Sequence, residues 1–206
     1  MSNKNKLITL FAVLGGLIVI VGLGGLLMYG VYFKLNDSGP TRIAARIFNL
    51  PAAKVGKRTV AYSRFLSTRD AIKKFIGSDA GKEVQAAMPS DKILNQNILE
   101  RLIREELTQD LANQKKITVT DKDVDAIFAD VVKAAASSTT PDVTQYLSTN
   151  YGWSVSDFRE QVLKPALLEQ KVAVQMAQDK QGDQNAMEDE LTAMRQKPDV
   201  VVYIKL

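Results

Sequence analysis

From Leu7 to Phe33 the chain runs for 27 residues without a charge. About 20 apolar residues in a helix cross the ~30 Å hydrocarbon core of a bilayer, so this stretch is long enough to span one. Whatever follows must then fold with one end held at a lipid surface. A cleaved secretory signal would have an apolar region of about 7–15 residues ending at a small-residue cleavage site. The first small-x-small options, around Ala44 and Ala45, lie well past the run, so residues 7–33 are expected to remain as an uncleaved anchor behind a short tail, 1–6. No two glycines in the run are four apart, so the G-x-x-x-G pattern for helix pairing in membranes is absent.

Basic residues flank both ends of the run: Lys4 and Lys6 precede it, and Lys34, Arg42 and Arg46 follow. The positive-inside rule therefore does not orient the chain, and a long C-terminal domain can be exported whatever its own charge. Without Lys4 and Lys6 the chain holds 25 basic and 23 acidic residues, a net charge of +2 that makes no case for nucleic acid. Histidine and cysteine are both absent. That removes Ser-His-Asp and Cys-His catalysis, disulfides and the usual zinc ligand sets, and no catalytic residue, metal or cofactor is expected. Asp121, Asp123 and Asp125 lack the glycine turn that a hard-cation loop needs and read as a helix start.

Residues 34–52, with Asn36-Asp37-Ser38-Gly39-Pro40, read as a juxtamembrane linker, and 53–206 as one domain. Ala53 to Val60 reads as two short strands about a Gly56-Lys57-Arg58 turn, followed by a helix capped by Ser63. Ser90 caps the clearest helix, whose stripe Leu94, Ile98, Leu99, Leu102, Ile103, Leu107 and Leu111 marks a core face; Arg101, Arg104, Glu105 and Glu106 fall on the face expected to be solvated. Thr120 opens the next helix, with Val124, Ile127, Phe128, Val131 and Val132 as its stripe. After the Ser137–Pro141 loop, a short helix ends at Tyr151-Gly152, and Ser154 caps another that Pro165 should kink. A last helix stops at Pro198. Val200, Val202, Ile204 and Leu206 then alternate with other residues as one buried strand face, and the segment around Val55 to Ala61 is the natural partner. The fold class is thus mainly α, with a small sheet formed by the first and last segments of the domain.

Three stretches resemble a known family. They are Ala53-Lys54-Val55-Gly56-Lys57-Arg58-Thr59-Val60-Ala61-Tyr62-Ser63-Arg64-Phe65, the segments Ile98–Leu107 and Lys116–Val124, and Tyr151-Gly152-Trp153-Ser154-Val155-Ser156-Asp157-Phe158. In this order they are similar to the N-terminal chaperone domain of the SurA, PrsA and PpiD family of extracytoplasmic folding factors, over about residues 53–174. The usual Asn-Gly of the first turn is replaced by Gly56-Lys57. Longer members carry a parvulin isomerase domain of about 90–100 residues, for which the chain has no room, so isomerase activity is not expected.

The resemblance implies a single pass through the cytoplasmic membrane, N-terminus inside and domain outside. It also implies a holdase for unfolded or newly exported polypeptides, tethered to the lipid bilayer. The alternative is a scaffold that docks one folded partner, such as the translocase. Client contact calls for aromatic or methionine surface, because apolar contact tolerates many sequences. Candidates are Phe128, Tyr146, Tyr151, Trp153 and Met88, residues of a kind that more often pack in a core or cap than touch a client.

Overall fold

The computed structural model describes residues 25–136 and 142–206. Most of the expected anchor, 7–24, and the Ser137–Pro141 loop lie outside the described residues. Helix α1 covers described residues 25–34, followed by α2 (Gly39–Ile47), β1 (Pro51–Val55), β2 (Arg58–Ala61), α3 (Tyr62–Gly77), α4 (Asp79–Glu83) and α5 (Asp91–Lys115). Then come α6 (Asp121–Ala136), α7 (Val143–Asn150), α8 (Val155–Phe158), a π-helical turn (Arg159–Leu163), α9 (Lys164–Asp179), α10 (Ala186–Arg195) and β3 (Val200–Val202). The fold is mainly helical around one three-stranded antiparallel sheet in the order β2-β1-β3.

The stripe read from the sequence becomes the axis of the domain. Ser90 Oγ accepts from the Ile93 amide at 3.4 Å and starts α5, and all seven stripe residues are buried. Around this helix pack α3, α9, α10 and the inner face of β1 and β2. The hairpin forms where expected. Gly56 has φ +55° while Lys57 does not take a positive φ, the pattern of a type II′ turn, in which glycine belongs at the first central position. Asn-Gly is therefore unnecessary here.

Several expectations need correction. Ser63 does not cap α3: β2 passes straight into the helix, whose first residue, Tyr62, donates its amide to Leu50 O at 2.7 Å. The segment expected to be a linker holds α2, and Thr41, Ala44, Ala45, Leu50 and Ala52 are buried. The small residues on one side of α2 let it lie close to α3, so breaker-rich composition did not mean a loose spacer. Near the end of the expected anchor, Val31 is fully buried, with Leu27 and Leu35 packed against the same core. Leu27 and Val31, four apart, share one face of α1, and Leu35 follows just past its end with φ +48°. Among the described residues no helix is long and apolar enough to cross a membrane.

The C-terminal strand pairs with β1, Val55 opposite Val200 and Ala53 opposite Val202. Its expected burial face is only half right, since Val202 is 38% exposed and Ile204 only 3%. Regular pairing stops at Val202, where Tyr203 and Ile204 both donate to Ala52 O. That local turn drives Ile204 into the core, and Lys205 then donates to Tyr32 O of α1 at 2.8 Å.

Ile204→Ala should cost about 2–5 kcal/mol, the usual range for a buried large aliphatic, whereas Val202→Ala should cost under ~1 kcal/mol. Denaturant unfolding of the two variants checks this; equal losses would mean that the strand buries the face read from its alternation.

Candidate functional site

The first turns of helix α6 are capped and paired with the bundle. Thr120 and Asp123 cap it reciprocally: Thr120 Oγ1 accepts from the Asp123 amide at 3.2 Å and Asp123 Oδ2 accepts from the Thr120 amide at 2.8 Å. Lys171 of α9 donates to Asp123 at 2.8 Å, and Arg159 pairs with Asp125. Of the stripe expected to face the core, only Val124 is buried; Ile127, Phe128 and Val131 are half-buried and Val132 is 41% exposed. Of these, Val131 faces a groove.

The groove has a volume of about 380 Å³ and runs between α6 and the α7–α8 segment. Val131 lies on one wall, and Val143, Tyr146 and Leu147 of α7 with Phe158 and Val162 form the other. An aromatic ladder backs it. Tyr151 stacks on Phe75 at 4.9 Å between ring centres and on Trp153 at 5.7 Å, with Tyr146 tilted against it at 6.3 Å. Local sequence explains the turn that carries these rings: Gly152 takes φ +71°, and a Ser154–Asp157 capping box starts α8 at once. Burial, and then the neighbouring Tyr146, push the Tyr151 hydroxyl above its usual range.

Pro165 shapes the floor in an unforeseen way. It does not simply kink the helix. The chain widens into the π-turn, where Lys164 N donates to Arg159 O, five residues back. Proline has no N–H for Gln161 O, and Arg101 of α5 donates to that carbonyl instead, at 3.1 Å. Arg101 thus lines the groove while staying exposed, as expected of the wet face. Glu106, by contrast, is not solvated: it is 8% exposed and accepts from Arg58 at 2.5 Å, with Arg64 reaching Glu105 and Glu106. Arginines from β2 and α3 cover this flank of α5, a tertiary arrangement that α5's own sequence does not encode. Arg104 likewise bridges Glu169 and Glu188, and the bond to Glu188 raises its pKa.

Of the five candidate residues, Tyr146, Tyr151 and Trp153 come together in the groove. Trp153, 8% exposed, is mostly wall, while Tyr146 and Tyr151 are half-buried. Phe128 lies on α6 beneath the Arg159 guanidinium, 5.7 Å from its ring centre, and is not part of the lining. Met88, 49% exposed, stands apart in the segment before α5. Val131, Val143, Leu147, Phe158 and Val162 were missed as a site because helical spacing marks an apolar face without saying what covers it.

A family model described as SurA-like N-terminal domain matches residues 1–172. The chain belongs to this family. The match places the SurA-like domain among proteins of chaperone type and indicates no catalytic family. It begins at residue 1, so the uncharged run lies within it, and it ends inside α9, ahead of α10 and β3. No curated protein matches the chain, and no solved structure matches it.

The Asp123 carboxyl is held down at about 2, first by the Lys171 hydrogen bond and then by those from Thr120. A lowered folded-state pKa contributes stability present above the unfolded value, ~4, and lost as pH falls through the folded one. Attachment of α6 should therefore hold above pH ~4 and loosen as pH falls toward ~2. Lys171→Met should raise the Asp123 pKa and move this loosening to higher pH, read by carboxyl NMR titration.

Proposed function

We propose that this SurA-like chain is a membrane-tethered, extracytoplasmic holdase that receives extended apolar segments of unfolded or newly exported polypeptides in the α6–α7–α8 groove. The observation that carries the reading is the groove itself: an apolar cleft walled by Tyr146, Tyr151 and Trp153, on a domain of chaperone type. Apolar contact is non-directional, so such a cleft selects for exposed hydrophobic side chains rather than for one sequence. Nothing in this action requires bond chemistry or a nucleotide, and isomerisation is not part of it.

Tethering rests on the uncharged run. With Val31 and its neighbours packed on the domain, the lipid-crossing part is best taken as Leu7–Leu26, 20 uncharged residues, a length that at a helical rise of 1.5 Å per residue would reach ~30 Å. Holding the groove near the membrane raises its effective concentration toward chains emerging there.

Val131→Glu should weaken binding of unfolded client peptides about tenfold or more, since losing one buried valine contact is worth ~1.5–3 kcal/mol. Val174→Glu, on an exposed position of α9, should leave binding unchanged. If both variants suppress client aggregation as well as the parent chain, the groove is not the client site. In spheroplasts, added protease should degrade the domain; full protection with degradation only after lysis would place it inside and remove the export context.

A further inference from the structure

Helix α2 leaves an apolar edge uncovered. Thr41, Ala44 and Ala45 are buried against the domain, while Ile43 is 62% exposed and Ile47 and Phe48 are each 70% exposed. Ile43 and Ile47 lie four apart on one face of this nine-residue helix and Phe48 caps its end, so the exposed apolar groups are grouped rather than scattered. Arg42 and Arg46 border it. Arg42 is neutralised by Asp70 at 2.6 Å, but Lys34, Arg46 and Lys205 have no carboxylate within ion-pair distance among the described residues.

The chain itself says what lies nearby. Eighteen uncharged residues, 7–24, lead directly into α1, and α2 begins five residues after α1 ends, a distance of at most ~17 Å. At the end of α1, Tyr29 and Phe33 are about half exposed and stack at 5.3 Å, and the Lys205 ammonium sits 4.6 Å from the Phe33 ring centre. Aromatic rings and long basic side chains collect where apolar bodies and polar tips must both be satisfied, at the level of lipid headgroups.

We propose that α2 lies in the plane of an anionic bilayer surface, with Ile43, Ile47 and Phe48 at the acyl boundary and the Tyr29–Phe33–Lys205 cluster at headgroup level. The domain is then seated on the membrane rather than swinging from it. This rests on the tether proposed above. An amphipathic helix with a basic border binds by its buried apolar area together with attraction to anionic lipid. The pinned C-terminus supplies Lys205 to the same surface.

The chain has no cysteine, so Ile47→Cys, Ala193→Cys and Val19→Cys each provide a single thiol for an environment-sensitive fluorophore. The full-length chain is placed in nanodiscs of phosphatidylcholine with phosphatidylglycerol, and brominated acyl chains serve as quencher. The labels at positions 19 and 47 should both be quenched and that at 193 should not. Omitting phosphatidylglycerol should reduce quenching at 47 about twofold and leave 19 unchanged. If 47 behaves like 193 while 19 is quenched, the seating is wrong and the tether stands. If 19 is not quenched, the tether fails and the seating with it. Shielding of 47 that requires an added membrane protein overturns the lipid reading in favour of a protein partner.

Discussion

Burial of the α5 stripe is the constraint from which the rest of the domain follows. A 25-residue helix with Leu94, Ile98, Leu99, Leu102, Ile103, Leu107 and Leu111 on one broad face cannot be covered by a single neighbour. Four elements share the task, with α3 and the hairpin on one side and α9 and α10 on the other. Because apolar burial is non-directional, the charged groups of α5 then secure these neighbours in place: Glu106 takes Arg58, Arg104 joins Glu169 to Glu188, and Glu100 takes Arg195 at 2.8 Å. Exposed ion pairs contribute little individually. Glu106, largely buried and bonded to Arg58 and Arg64, is the pair member whose loss of partners would be felt most.

β1 joins the two ends of the domain. It lies between β2 and β3, so the C-terminal strand completes a sheet that the hairpin began. The last residues then bond to α1 through Tyr32, which ties the region nearest the apolar run to the far end of the chain. A further link fixes the α1–α2 turn: the Tyr62 hydroxyl donates to Asn36 O at 3.1 Å, and burial pushes its pKa up to about 12. The connection from apolar run to domain is therefore a packed joint.

The groove has a different character from the core. Its α6 wall buries Val124 and pairs Asp123 and Asp125 with Lys171 and Arg159, and the opposite wall is backed by stacked rings. Elements with few buried apolar contacts open at lower free energy than core elements. A cleft bounded on one side by such an element can adjust to segments of different width, which suits a protein that must accept many clients.

Much of this was legible locally. The hairpin, the caps at Ser90, Thr120 and Ser154, the stripe of α5 and the pairing of the two ends all follow from period, turn chemistry and the need to satisfy backbone groups. The same reasoning read Arg101 as exposed, as it is, but placed the α6 stripe in the core, Glu106 in water and 34–52 in a linker. Each error has one cause: sequence shows which face of a helix is apolar or charged, but what covers that face depends on distant segments. Arg101 meets an orphaned carbonyl 60 residues away, and Ile204 turns inward only because two amides share Ala52 O. The sequence by itself determined the hairpin, the long helices, the uncharged run and the closure of the domain by its last strand. Only the tertiary structure decided that Val131 of α6 and the apolar face of α7 line one open cleft, because which apolar surfaces remain uncovered is a property of the whole packing.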